Sequence, residues 1–247
     1  MTRFYYKMIV EYDGTEFSGW QIQPNKRTVQ GILQDAIASY TRLPIKLVGA
    51  GRTDAGVHAV GQVCGFSTEA RFEVSELKYR LNRILPDDIA VVDTRRARQG
   101  FNPRRNAISR TYRYSIGEGR RPLSRHAEYQ ILRQLEIGKL NEAAALFIGQ
   151  HDFTAFCRRK SLRKENYCEI YESRWFRYGG RAVYEIQANR FLHHMVRRVV
   201  GVMLAVEASK IDLTQIEEFL NNKAAVKYNV PAKGLVLTAV KYGRMKR

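Results

Sequence analysis

Apolar and polar positions alternate from Phe4 to Tyr12, and aromatic and β-branched residues fill the run, which predicts a strand. Asp13-Gly14 turns the chain, and Thr15 to Gln21 reads as a loop holding Phe17 and Trp20. The period then lengthens. Val29, Ile32, Leu33, Ala36 and Ile37 recur at helical spacing, predicting a helix capped by Thr28, running to Tyr40 and stopped by Pro44. Strands are predicted over Ile45–Gly51 and His58–Ser67. A helix follows over Val74–Leu85, with Leu77, Leu81 and Ile84 inward and Lys78, Arg80 and Arg83 outward. Ile89–Ala97 is a further strand. This order, β-α-β-β-α-β, is the split-βαβ, ferredoxin-like plan.

The pattern recurs from Ser109. A strand over Ser109–Ile116 precedes a helix over Lys139–Gly149, which has a possible earlier start at Leu135. Asn166–Tyr178 and Arg181–Asn189 form a hairpin across Gly179-Gly180. Phe191–Ala208 reads as a helix with Leu192, Met195, Val199 and Val202 in a stripe. Thr214-x-x-Glu217 is a capping box for a short helix to Asn221, and Gly234–Tyr242 closes as a strand. The expected class is α+β, with two ferredoxin-like halves at 1–105 and 106–247. Their antiparallel sheets are expected to join into one platform, with helices behind and a basic cleft between the halves. The repetition is one of architecture; the residues themselves do not repeat.

Charge sharpens this picture. The 247 residues carry 42 Lys+Arg against 24 Asp+Glu, a net charge of +18. Such a balance points to a polyanionic partner, first of all nucleic acid. The arginines cluster: Arg95, Arg96 and Arg98; Arg104, Arg105, Arg110 and Arg113; Arg120, Arg121 and Arg125. Arg158, Arg159, Lys160, Arg163 and Lys164 form a further run. One such cluster is ordinarily a solvated face, but so many shift the expectation to phosphate contacts. The apolar run Val199–Val206 is too short for a bilayer, so no membrane partner is expected. The N-terminal residues lack a signal-peptide apolar core, and Cys64, Cys157 and Cys168 lack metal-ligand spacing. Reduced thiols and a cytoplasmic location are therefore expected.

The stretch Leu47-Val-Gly-Ala-Gly-Arg-Thr-Asp-Ala-Gly-Val-His-Ala59 carries the candidate chemistry. In an extended segment Arg52 and Asp54, two apart, leave on one face, where the guanidinium would hold the carboxylate ionised. Arg-x-Asp at a strand end is more often a surface ion pair. A dinucleotide fingerprint is excluded, because Asp54 stands where a third glycine is needed and a strand follows. Arg110, Tyr112, Tyr114 and Ile116 share one strand face, either a core face or a stacking platform for unstacked bases. Arg197 is placed one turn from His193. His193-His194 lacks the zinc-binding spacing, and paired carboxylates for acid–base work are not evident.

Six motifs in order resemble the tRNA pseudouridine synthase A family. They are Tyr12-Asp-Gly-Thr-x-Phe-x-Gly-Trp-Gln21, Gly51-Arg-Thr-Asp-Ala-Gly-Val-His-Ala59, Arg110-x-Tyr112-x-Tyr114, His151-Asp-Phe-x-x-Phe156, Phe191-Leu-His-His-Met-Val-Arg197 and Lys233-Gly-Leu-x-Leu237. The resemblance runs almost end to end. One departure is Gly100-Phe-Asn-Pro-Arg-Arg105, where the family usually has alanine before the arginine and an aromatic after it. By resemblance, Asp54 is the nucleophile that isomerises uridine to pseudouridine at tRNA nucleotides 38, 39 and 40, with Arg52 as its cationic partner. Tyr112 would stack on the extruded base, and Arg197, Lys233, Leu235 and Arg104 would bind substrate. The resemblance implies no cofactor, no metal and a homodimer. The alternative reading is a non-catalytic, basic RNA-binding protein or RNA chaperone, which has no use for Asp54.

Overall fold

The structure, a computed structural model, describes residues 3–162 and 164–243; Arg163 of the basic run lies outside them. In chain order the elements are β1 (Phe4–Tyr12), α1 (Val29–Thr41), β2 (Val48–Gly49), β3 (His58–Thr68), α2 (Val74–Ile84) and β4 (Ile89–Ala97). There follow β5 (Ala107–Glu118), β6 (Tyr129–Ile131), α3 (Ile137–Ala145), β7 (Gly149–Asp152), β8 (Tyr167–Tyr178) and β9 (Arg181–Ala188). The chain ends with α4 (Met195–Glu207), α5 (Thr214–Leu220) and β10 (Leu235–Tyr242). It is an α+β fold of mostly antiparallel sheet. Two compact units divide it, Met1–Ile108 with Leu237–Arg247, and Ser109–Val236.

In the first unit β1 is flanked by antiparallel β3 and β4, and β10 lies on the other side of β3. A Cβ at Gly61 would sit 2.2 Å from the Thr238 carbonyl oxygen, so β3 and β10 approach closely only because that side chain is absent. The closing strand thus belongs with the first unit from Leu237 onward. Helix α1 begins where its pattern predicts, with the Thr28 hydroxyl accepting from the Gly31 N–H at 3.4 Å. It ends on Arg42 in the left-handed region (φ 58°), two residues before Pro44. Leu33 and Ile37 of α1 and Leu77 and Leu81 of α2 are fully buried. Burial of each such side chain stabilises by about 2 kcal/mol. Ile84, expected inward, is 49% exposed, because Leu85, four residues after Leu81, takes the buried position at the end of α2.

The strand expected over Ile45–Gly51 is regular only at Val48 and Gly49, which pair with β3; the Ala50 N–H beyond them still donates to the Val63 carbonyl at 2.7 Å. Side chains of α1 take the backbone that a longer strand would use: Gln34 accepts the Leu47 N–H at 3.1 Å, and Gln30 donates to the Leu47 carbonyl at 2.9 Å.

The second unit orders its antiparallel strands β5-β9-β8-β7, with short β6 parallel to the end of β5. The Gly179-Gly180 turn has φ of 56° and 71°, the paired positive values that suit a two-residue hairpin. Helix α3 packs on β8, where the Asn141 side chain caps both the N–H and the carbonyl of Trp175 at 2.7 and 3.0 Å. Three expectations are corrected here. Gly149, read as a helix end, has φ 104° and opens β7 instead. Helix α4 starts at Met195 and not Phe191, because His194 adopts a left-handed conformation (φ 67°); His193 therefore lies outside the helix that carries Arg197. The box at Thr214 and Glu217 does not form at the cap; Asp212 accepts from the Thr214 hydroxyl at 2.5 Å and from the Gln215 N–H at 3.3 Å.

Carboxylates of this unit are held by its own arginines. Glu128 is bound by Arg181, Glu185 by Arg113 and Arg174, Glu207 by Arg133, and Glu118 by Arg177. Burial pushes the Glu207 carboxyl up, but hydrogen bonds from Arg133 and the Glu136 N–H outweigh it and hold the group below its ordinary 4.5. A carboxyl depressed in the folded state contributes stability that is full above its unfolded value and is lost as pH falls through the folded one. The melting temperature is therefore expected to drop as pH is lowered below about 5. Glu207→Gln, followed by calorimetry against pH, should be less stable at neutral pH and show a shallower acid limb; an unchanged limb would remove Glu207 from the account. Cys64, Cys157 and Cys168 are all buried free thiols. Among the described residues no helix is long and apolar enough to cross a membrane.

Candidate active site

In the first unit the Asp54 loop leaves β2 and returns into β3, and the segment after β1 clamps it. The Trp20 N–H donates to the Thr53 carbonyl at 3.1 Å, and the Tyr12 and Thr53 hydroxyls share a hydrogen bond of 2.8 Å. The Gly14 N–H donates to His58 Nδ1 at 3.0 Å. At the loop tip the Val57 N–H closes onto the Asp54 carbonyl at 3.2 Å, next to Gly56 with φ 75°. Glycine sites make room for this. A Cβ at Gly14 would meet the Val57 carbonyl oxygen at 2.1 Å, and one at Gly49 would lie 2.6 Å from the Trp20 ring. The opening motif is thus the bed on which the acidic loop rests.

Asp54 itself is half-buried, while its neighbours Thr53 and Val57 are buried. Arg52 is exposed, and among the described residues it makes no ion pair. The clamp of Arg52 on Asp54 expected from their spacing is therefore not formed in this structure. The segment at 52–54 is irregular and not a strand, so alternation does not put the two side chains on one face. Arg52 instead lines a groove of about 160 Å³ with Lys46, Arg104, Trp20 and Gln30.

Arg104 is held by an Asx turn. The Asn102 carboxamide accepts from the N–H groups of Arg104 and Arg105, each at 3.0 Å, and the Asn106 N–H returns to the Asn102 carbonyl at 3.0 Å. Pro103, where the sequence departs from the family pattern, is buried and its carbonyl accepts from the Tyr242 hydroxyl at 2.8 Å. The departure is accommodated in a tight turn that leaves both arginines exposed.

In the second unit Tyr112, Tyr114 and Ile116 lie on the buried face of β5. Tyr114 is a core residue: fully buried, its hydroxyl donates to the Pro231 carbonyl at 2.9 Å. Tyr112 is 7% exposed and meets Phe191 edge-on at 5.1 Å between ring centres. Arg197, in the first turn of α4, donates through Nε to the Val230 carbonyl at 2.7 Å and acts electrostatically on Tyr114. Lys233 is half-buried and Leu235 buried. The turn between them needs Gly234, since a Cβ there would lie 2.8 Å from the Tyr114 ring. Tyr112, Arg197, Lys233 and Leu235 thus gather around the 230–235 segment and β5. The second-unit histidine His193 is bonded through Nδ1 to the Ser161 hydroxyl at 2.7 Å. Sequence reading passed over Tyr12 and Thr53, whose contact joins distant stretches; their presence in two neighbouring motifs was the available signal.

Comparison with known proteins gives the class first. The family model described as tRNA pseudouridine synthase matches residues 8–99 and 143–243, placing the chain among RNA-modifying isomerases that convert uridine to pseudouridine. Arg104 and Tyr112 fall in the gap of that match. Relatives named tRNA pseudouridine synthase A include one from Clostridium kluyveri, 37% identical over 240 residues, covering 96% of this chain and 98% of the relative. One from Porphyromonas gingivalis is 37% identical over 248 residues, covering 98% of each chain. The chain belongs to the tRNA pseudouridine synthase A family.

Proposed function

We propose that this chain acts on the anticodon stem-loop of tRNA, isomerising uridine at nucleotides 38, 39 and 40 with Asp54 as the nucleophile. The observation that carries this reading is a carboxylate set on a loop fixed from behind by buried Tyr12, Thr53 and Trp20, in a chain of net charge +18. The reaction breaks the bond from uracil N1 to the ribose and forms one from C5. The proton lost from C5 is balanced by one gained at N1, so no oxidant, reductant or cofactor is consumed. A carboxylate serves whether it attacks the base or assists at the sugar.

The target uridine must leave its stack, at a cost of a few kcal/mol. Tyr112 is assigned the role of stacking on the extruded base, and Arg197, Lys233, Leu235 and Arg104 that of substrate contacts. Arg52 is a catalytic candidate that acts on the RNA, since it is exposed and lines one groove with Lys46 and Arg104. A homodimer and a cytoplasmic location complete the proposal. The direct test is incubation of unmodified tRNA with the protein, followed by mapping of pseudouridine. Modification confined to positions outside 38–40, or none, would overturn it.

Stacking of a base on an aromatic ring contributes about 1–3 kcal/mol. Tyr112→Ala is therefore expected to lower kcat/KM by roughly 10- to 100-fold, whereas Tyr112→Phe keeps the ring and stays within about 3-fold of the parent. Single-turnover rates on anticodon stem-loop RNA check this. Equal losses in the two variants would assign the role to the hydroxyl.

A further inference from the structure

Thr53 immediately precedes Asp54, and its carbonyl and hydroxyl are engaged by residues of the opening motif. Its carbonyl accepts from the Trp20 N–H at 3.1 Å and its hydroxyl meets that of Tyr12 at 2.8 Å. Tyr12 is 3% exposed, at the end of β1, with its ring beside Trp20 at 6.2 Å. The peptides around Asp54 are fixed in parallel. Gly19 (φ 93°) passes so close that a Cβ would lie 2.7 Å from the Thr53 carbonyl oxygen and 3.2 Å from the Ala55 nitrogen. Gln62 donates to the Gly51 carbonyl at 3.3 Å. Those restraints act on the backbone. The Tyr12–Thr53 bond joins two side chains and can be deleted without altering any backbone group.

We propose that Tyr12 is a positioning residue, whose hydroxyl acts through Thr53 to fix the direction in which the Asp54 carboxylate leaves the loop. The inference rests on Asp54 being the reacting group. Burial pushes the Tyr12 phenol far above its usual range, so the bond is a neutral one at every working pH. A hydroxyl pair of this kind is a weak contributor to overall stability. A small misplacement of a reacting group, by contrast, costs up to about 100-fold in rate. Turnover should therefore suffer more than folding.

The test uses Tyr12→Phe, Thr53→Val, the double variant and Thr53→Ser, with Asp54→Asn alongside. Steady-state kinetics on tRNA, tRNA binding and thermal melting are measured for each. Tyr12→Phe and Thr53→Val are each expected to lower kcat by roughly 10- to 100-fold. KM and tRNA affinity should stay within about two-fold of the parent. The double variant should fall no further than Tyr12→Phe, because both singles remove the Tyr12–Thr53 bond; Tyr12→Phe also removes the phenol's hydrogen bond with Gln62, so Thr53→Val isolates the Thr53 contribution. Thr53→Ser keeps the hydroxyl and should recover most of kcat. Single variants with parental kcat, additive losses, or a loss carried by KM would overturn the proposal. If Tyr12→Phe fails to fold, Thr53→Val against Thr53→Ser decides. Parental turnover by Asp54→Asn would bring down the nucleophile assignment itself. An inactive Asp54→Asn with normal Tyr12→Phe and Thr53→Val would overturn the positioning role alone.

Discussion

Asp54→Asn is expected to stop pseudouridine formation while leaving tRNA binding near the parental level. The amide keeps the size and shape of the side chain but loses the negative charge and the nucleophilic carboxylate, one acceptor oxygen becoming an NH2 donor. Removal of a nucleophile acts on the scale of 10³-fold or more, so residual product over a long incubation should fall at least roughly that far. The path of the loop should be kept, because the backbone bonds that fix it, from Trp20 N–H to Thr53 carbonyl and from Val57 N–H to Asp54 carbonyl, do not use this side chain. Pseudouridine mapping, gel-shift titration and a melting curve on the same preparation check all three statements. Turnover comparable to the parent would remove Asp54 from the chemistry and revive the reading of a protein that only binds RNA.

The other large effect is expected at Gly14. A methyl group there would sit 2.1 Å from the Val57 carbonyl oxygen and 2.6 Å from its carbon. Backbone cannot rotate aside as a side chain can, so either the Asp13–Thr15 turn or the loop at 54–57 must move. Overpacking of this kind costs about 1–3 kcal/mol, occasionally more. The displaced peptide is three residues from Asp54. Gly14→Ala should therefore lose stability and rate together, with a loss of turnover well beyond what the unfolded fraction explains. Kinetics at a temperature far below the melting midpoint separate the two. A variant that melts normally and turns over normally would show that the loop does not need this close contact.

How much of this was legible in the sequence differs from element to element. Where one local signal dominated, it was sufficient: Thr28 caps α1 and Gly179-Gly180 makes a hairpin turn. Elements went astray where a distant group intervened. The strand after α1 shrinks to Val48–Gly49 because Gln30 and Gln34, thirteen or more residues upstream of its end, take the Leu47 backbone. Apolar periodicity ran on through Phe191–His194, but the left-handed backbone at His194 breaks it, and no pattern of side chains encodes that. β6 and β7 are too short, at three and four residues, to leave a period-two signature. At the candidate site, the motif around Asp54 marked a loop that the structure shows fixed from behind by Tyr12 and Trp20. The Arg52 clamp was an inference from alternation, which holds only in an extended strand, and the segment there is irregular. The support of the loop by Tyr12 links residues 41 apart and needed coordinates to be seen.

The three buried thiols have a practical consequence. Burial pushes Cys168 up to about 12 and Cys64 higher still, and Cys157 is only 2% exposed, so none offers an accessible thiolate near neutral pH. A cysteine engineered at a fully solvated position such as Leu123 would then be the sole fast target for a maleimide dye. The parent chain is in effect already a cysteine-light scaffold, ready for fluorescent reporting of RNA docking without first stripping its native sulfurs.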